Sequence, residues 1–306
     1  MLRITRIDLN PFFTLPHRTS GSAGVPLHNR LPFYRAYATG LPSHVKSLVL
    51  TSDLQGREAG SQNRLLGVPV AEALSALSRE GVIPAPDAVF LCGDLYDYPD
   101  CHKRGGTGTV DEVFQAFSEV TPEVVGVLGN HDQMDHPEAL PDNTTLLDGG
   151  VVRVLGNLNV GGVSGIVGNP NRNQRRTEDD FLAALESVTD QAPEILLLHQ
   201  GPTDPERANR RGDPGVALSL ETGFQGLTVF GHTRWGWPWL ISLGEGQALN
   251  VDGRVVVVCR RLTEFSVSVQ RSKFHSRKKC PRNRGHTMDT IWTQTNKKGL
   301  RFHVSP

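Results

Sequence analysis

Five apolar runs in this 306-residue chain end in side chains that can hold an ion or move a proton. Leu48-Val49-Leu50 leads to Asp53-Leu54-Gln55, Ala88 to Leu91 leads to Gly93-Asp94-Leu95-Tyr96-Asp97, and Val124 to Leu128 leads to Gly129-Asn130-His131-Asp132. Ile195 to Leu198 runs into His199, and Leu227 to Phe230 runs into Gly231-His232-Thr233-Arg234. Carboxylate oxygen, amide oxygen and imidazole nitrogen together suit Mn, Fe or Zn, and the neighbouring glycines permit tight turns and close approach to a ligand. Gln55 tests this reading, because a metal-binding strand end more usually carries His two residues beyond the Asp.

The apolar runs are short enough to be buried strands, and helical patterns separate the first of them. Val70, Ala73, Leu74 and Leu77 share a helix face, with Pro69 near its start and Gly81 just past its end. Val110, Val113, Phe114 and Phe117 predict a second helix, opened by a Thr109-x-x-Glu112 capping box, and a third runs from about Glu178 to Val188. Later runs at 227–230, 249–251, 255–258 and 265–269 read as strands without intervening helices, so a second sheet is expected. In an α/β sheet the carboxyl ends of strands line the ligand crevice, so the five clusters converge on one site. Residues 1–42 mix Pro, Gly, Ser and aromatics without a period and are expected to form an irregular N-terminal arm, followed by an ordered domain over 43–270.

Thirty-two Lys and Arg balance 32 Asp and Glu, so no global field recommends a nucleic acid or a membrane. The balance is uneven along the chain: residues 271–306 hold ten Lys or Arg against Asp289 alone, a net of +9, which leaves −9 for the rest. This basic, polar stretch reads as a disordered tail; nucleic acid is a possible partner through phosphate contacts and Trp292 stacking, but an appendage without a partner is favoured. Cys92, Cys101, Cys259 and Cys280 lack C-x-x-C spacing, which suits reduced thiols in a cytoplasmic protein rather than a zinc or disulfide framework. The N-terminus lacks the apolar core of a signal peptide, and no apolar run approaches ~18 residues, so no membrane association is expected.

Taken in order, Asp53-x-Gln55, Gly93-Asp94-x-x-Asp97, Gly129-Asn130-His131-Asp132, His199 and Gly231-His232-x-Arg234 resemble the motifs of calcineurin-like metallophosphoesterases. That family's pattern is D-x-H, G-D-x-x-D, G-N-H-D/E, H and G-H-x-H, and the resemblance covers roughly residues 45–258. It implies an α/β fold, a four-layer α-β-β-α sandwich of two mixed sheets flanked by helices. It also implies a two-metal centre in which Asp94 bridges both ions; with the departures at Gln55 and Arg234, one or two divalent ions per chain are expected, Mn foremost with Fe, Zn or Mg as alternatives. Asn130, His199 and His232 would complete the second site, and Asp53 and Gln55 would serve the first. A hydroxide activated by the metals would attack the phosphorus of a phosphorylated small molecule or nucleotide, with His131 protonating the leaving oxygen. Asp97 would orient His131.

Two positions depart from the pattern. An amide oxygen at Gln55 is a neutral acceptor for a hard ion, and a D-x-Q variant occurs in enzymes resembling the manganese-dependent ADP-ribose and CDP-alcohol diphosphatases, so Gln is compatible with activity. Arg234 stands where the family has a last histidine ligand, and a guanidinium has no lone pair to give. It either grips a substrate phosphate or marks a broken first site, leaving a single-metal enzyme, a weak enzyme and a retired binding scaffold open. His102, His136, His275, His286 and His303 read as surface residues, Asn171 to Arg176 as a solvated loop, and Trp235, Trp237 and Trp239 as alternating packing residues. Gly244-Glu245-Gly246 lacks the Lys-Ser/Thr of a phosphate-cradling loop.

Overall fold

The computed structural model of the chain describes residues 1–21, 24–103 and 105–260, and the secondary structure follows the apolar pattern closely. Along the first sheet, Thr144–Leu146, Val124–Val127, Ala88–Cys92 and Ser47–Ser52 run parallel, and Arg254–Arg260 then pairs antiparallel with Ser47–Ser52. The second sheet has Gly150–Val154, Leu158–Val163, Ile195–Gln200, Leu227–Gly231, Gly246–Asn250 and Leu240–Leu243 in that order, with the four central strands parallel. Both sheets are therefore mixed.

Alternation of side chains across each strand generates the layers. Leu48, Leu50 and Phe90 point into a core shared with Leu197, Val229 and Leu249 of the other sheet. Val49, Val89 and Leu91 point the opposite way, onto helices α1 (Gly67–Arg79) and α2 (Asp111–Ser118). On the second sheet Leu196 and Leu198 face α3 (Glu178–Thr189) and α4 (Pro214–Gly223). The outcome is the expected four-layer α-β-β-α sandwich.

Three local expectations need correction. Residues 1–42 are not an irregular arm: Arg3–Ile7, Phe13–Ser20 and Pro26–Thr39 are strands of the first sheet, and Pro26–Thr39 pairs parallel with Arg254–Arg260. Helix α2 forms without its capping box, since its N-cap is Val110 and Glu112 Oε1 accepts instead from the Leu65 N–H at 2.9 Å. Residues 235–239 are not a strand; Trp235 and Trp239 are buried while Trp237 is exposed. Helix α3 does start as its composition suggests, with Thr177 Oγ1 accepting from the Asp180 N–H at 3.2 Å. Cys92, Cys101 and Cys259 are free and buried, and among the described residues no helix is long and apolar enough to cross a membrane. The strand expected at 265–269, the end of the 43–270 domain and the basic tail at 271–306 lie outside the described residues.

Candidate metal centre

The parallel strands of both sheets deliver their polar clusters to one edge, and hydrogen bonds across the sheets tie those clusters together. Asp53 Oδ2, from the first sheet, accepts from the His232 N–H at 2.9 Å in the second. His199 Nδ1 lies 2.8 Å from the Cys92 carbonyl, so that ring nitrogen donates and Nε2 is turned toward the centre. There Nε2 faces Asp94 Oδ1 at 3.2 Å. Asp94 Oδ1 also accepts from the His131 N–H at 3.1 Å, and Oδ2 accepts from Gln55 Nε2 at 2.9 Å.

The turns are tight enough to demand glycine. A Cβ on Gly93, where φ is +82°, would lie 2.3 Å from the Gly129 nitrogen, and one on Gly129 would lie 2.2 Å from Asp94 Oδ1. Asp53, Asp94 and His232 themselves adopt φ of +53°, +53° and +66°. Non-glycine residues in this left-handed region carry strain of roughly 1–3 kcal/mol each, and such strain gathers at functional sites.

Charge at the centre is strongly coupled. Burial opposes ionisation of Asp94, but the charge and contact of His199 together with His131 outweigh it and hold the carboxyl below its usual range. Burial likewise opposes a proton on His199, yet Asp94 and Asp53 push it up to about 10. Burial, reinforced by His199, pushes His232 down to about 4, leaving the neutral imidazole that ligates metals. Asp53 is raised well above its ordinary value by burial and then by the negative charge of Asp252.

These residues fit a divalent cation. Ligand atoms of Asp94, His199 and His232 all lie within 4.8 Å of one another. Asn130 Oδ1, buried beside them, has no hydrogen-bond partner among the described residues, which is the condition of an oxygen shaped for an ion. Oxygen and imidazole donors of this kind bind Mn, Fe or Zn, and the cation would supply the positive charge that Asp94 otherwise draws from a proton on His199.

Other assigned residues are placed less simply. Gln55 reaches the centre, but its Nε2 side meets Asp94. Arg234 is exposed, its Nη1 lying 3.5 Å from where a Cβ would stand on Gly253, and it makes no hydrogen bond or ion pair among the described residues. His131 Nδ1 lies 3.0 Å from the Gly106 carbonyl, so a loop backbone, rather than the Asp97 carboxylate, holds that edge of the ring. Asp97 is buried and serves its own turn: Oδ1 accepts from the Tyr98 N–H at 2.9 Å, and its carbonyl is gripped by the buried Arg57, whose Nε lies 3.0 Å away.

Some contributors escape a reading of motifs. Asp252 is buried, bridges Ser52 in the sheet pairing and stands just past the end of Gly246–Asn250, so it adds a sixth strand-end polar position that the same rule would have found. Asn173 donates from Nδ2 to the carbonyls of Asn130 at 3.2 Å and Asp132 at 2.9 Å, a role for which its loop carries no sequence signal.

A family model described as calcineurin-like phosphoesterase matches residues 46–234, which span the five clusters from Asp53 to Arg234. The chain belongs to the calcineurin-like phosphoesterase family. No curated protein matches it. Among solved structures, it is similar to TT1561 of Thermus thermophilus, at 18% identity with a TM-score of 0.46, over 67% of this chain and 88% of that one. It is also similar to a phosphopantetheinyl hydrolase, PptH, from Mycobacterium tuberculosis, at 15% identity with a TM-score of 0.40, over 69% of this chain and 90% of that one. As a calcineurin-like phosphoesterase, the chain keeps Asp94, Asn130, His199 and His232 of the family pattern and departs from it at Gln55 and Arg234.

Proposed function

We propose that this calcineurin-like phosphoesterase hydrolyses a phosphodiester, phosphomonoester or diphosphate bond in a phosphorylated small molecule or nucleotide, with divalent metal as its cofactor. The observation that carries this reading is the buried meeting of Asp94, His199 and His232 beside the unpartnered Asn130 Oδ1. These four residues would hold one ion, and Asp53 and Gln55, with Asp94 shared, would hold a second. When bound, such ions polarise a phosphoryl oxygen and activate water. Mn is our choice, because the Gln55 amide oxygen favours a harder ion than a second imidazole would.

The chain's own groups then do the rest. His131 gives its Nδ1–H to the Gly106 carbonyl, which leaves Nε2, 3.9 Å from Asp94 Oδ2, as the nitrogen whose proton, carried when the ring is an imidazolium, passes to the leaving oxygen and leaves the neutral ring behind. Arg234, exposed and without a hydrogen-bond or ion-pair partner among the described residues, offers its fork of donors to a phosphoryl oxygen. Asp97 is a positioning residue that keeps the Gly93–Asp97 turn in shape. The buried, reduced cysteines suit a cytoplasmic protein. The test is hydrolysis of bis-p-nitrophenyl phosphate and a nucleotide panel with Mn added. His131→Ala and Asp94→Asn are each expected to abolish most turnover, and undiminished activity in both would sink the assignment.

A second reading, a binding module holding one ion with negligible turnover, draws on Arg234, which contributes no donor to the first site. Two Mn per chain together with turnover would exclude it. A nucleic-acid substrate engaged through residues 271–306 predicts salt-sensitive binding that is lost on truncation after Gln270.

A further inference from the structure

The loop from Gly165 to Arg176 is fastened to the turn that carries Asn130 and His131. Gly165 donates its N–H to the Leu128 carbonyl at 2.7 Å, and Asn173 Nδ2 reaches the carbonyls of Asn130 and Asp132. The short parallel pair Ile166–Val167 and Arg175–Arg176 stiffens the loop's two ends. Neighbouring residues in an extended segment point to opposite faces, and here the two arginines have opposite fates. Arg176 pairs through Nη2 with Asp148 Oδ1. Arg175 lies along Gly168, where an added Cβ would stand 3.3 Å from both its Cδ and its Nη1.

Arg175 is half-buried, yet it makes no hydrogen bond or ion pair among the described residues. A half-desolvated guanidinium without a protein partner, on a loop fixed to the catalytic turn, is the arrangement that recognises an anion by paired hydrogen bonds.

We propose that Arg175 binds an anionic group of the substrate other than the phosphoryl group under attack, so that the enzyme selects molecules with two linked phosphates over simple monoesters. This rests on the phosphoesterase reading and adds a substrate class to it. Asn173 is the positioning residue for this contact, and Gly168 provides the space in which the guanidinium lies.

Methylphosphonate and methylenediphosphonate separate the two claims. Each is titrated calorimetrically into full-length protein loaded with Mn and freed of excess metal, and Mn retained on the protein is measured after each titration. Wild type is expected to bind the diphosphonate about 10- to 100-fold more tightly than the monophosphonate, the range for one charge-assisted contact. Arg175→Ala is expected to erase that preference while leaving methylphosphonate affinity unchanged. Arg175→Lys should keep part of it, and Arg176→Ala all of it. Equal loss of both probes in Arg175→Ala, or diphosphonate binding as tight as in wild type, overturns the assignment while the phosphoesterase reading stands. If wild type binds neither phosphonate, that reading fails and takes this one with it.

Discussion

At the scale of single residues, Asp94 organises the centre by accepting from both Gln55 and His131 while facing His199. Asp94→Asn replaces one acceptor oxygen with a donor and removes the charge that binds a cation, so Mn retained after gel filtration should fall sharply. His131→Ala is different: Mn content should stay at the wild-type level while kcat drops by about 10²- to 10⁴-fold, the usual range for a lost proton donor. Loss of metal in His131→Ala would instead make that histidine a structural member of the site. Gly129 gives the third test. Its missing Cβ would stand 2.2 Å from both the Asp94 nitrogen and Oδ1, so Gly129→Ala must shift backbone as well as side chain. A loss of about 1–3 kcal/mol in denaturant unfolding is expected, together with loss of the metal. An unchanged midpoint would show that the turn is looser than its contacts indicate.

At the scale of elements, strand ends place the chemistry, and Phe13–Ser20 packs beside the turn that follows Asp53. His17, on Phe13–Ser20, faces Glu58 in the pairing with Arg57–Glu58, and a Cβ on Gly56 would stand 2.9 Å from its ring. Burial lowers its pKa below the ordinary 6.5. The folded chain then binds a proton at His17 less readily than the unfolded chain, so stability present above about 6.5 is lost as pH falls through that value toward the lowered one. His17→Gln should flatten the decline in Tm between about pH 7 and 5 relative to wild type, and parallel profiles would argue against a buried neutral imidazole. The central strands were legible because Leu48 to Leu50, Ala88 to Leu91 and Ile195 to Leu198 are unbroken apolar runs with polar ends. Phe13–Ser20 and Pro26–Thr39 were not, because Pro16, Pro26, Pro32 and exposed polar residues interrupt any period, and their pairing with distant strands is what makes them β. The orienting partner of His131 was hidden for a related reason: a backbone carbonyl, Gly106 O, carries no side-chain signature.

At the scale of the whole molecule, the two sheets form one core that depends on both ends of the described chain. Pro26–Thr39 covers one side of Arg254–Arg260 and Ser47–Ser52 the other, and Phe33, Ala36 and Ala38 are fully buried. A chain beginning at residue 43 would expose that apolar face and an open strand edge, so it should be insoluble or bind a hydrophobic dye where the full chain does not. The five strand-end clusters and their convergence could be read before the structure, and the four-layer arrangement followed from the resemblance those clusters carry. What could not be read was which groups hold the turns of the site, since Asn173 and the Gly106 carbonyl act through folding that joins segments far apart in sequence.

The central claim is that a divalent ion held by Asp94, Asn130, His199 and His232 drives phosphoester hydrolysis. Its most direct test is to strip the protein of metal, titrate Mn back, and follow bound Mn per chain alongside hydrolysis of bis-p-nitrophenyl phosphate in the same samples. The account predicts that turnover is absent in the stripped protein, rises in step with bound Mn, and is not restored in Asp94→Asn. Turnover in metal-free protein, or stoichiometric Mn without any turnover, would contradict it.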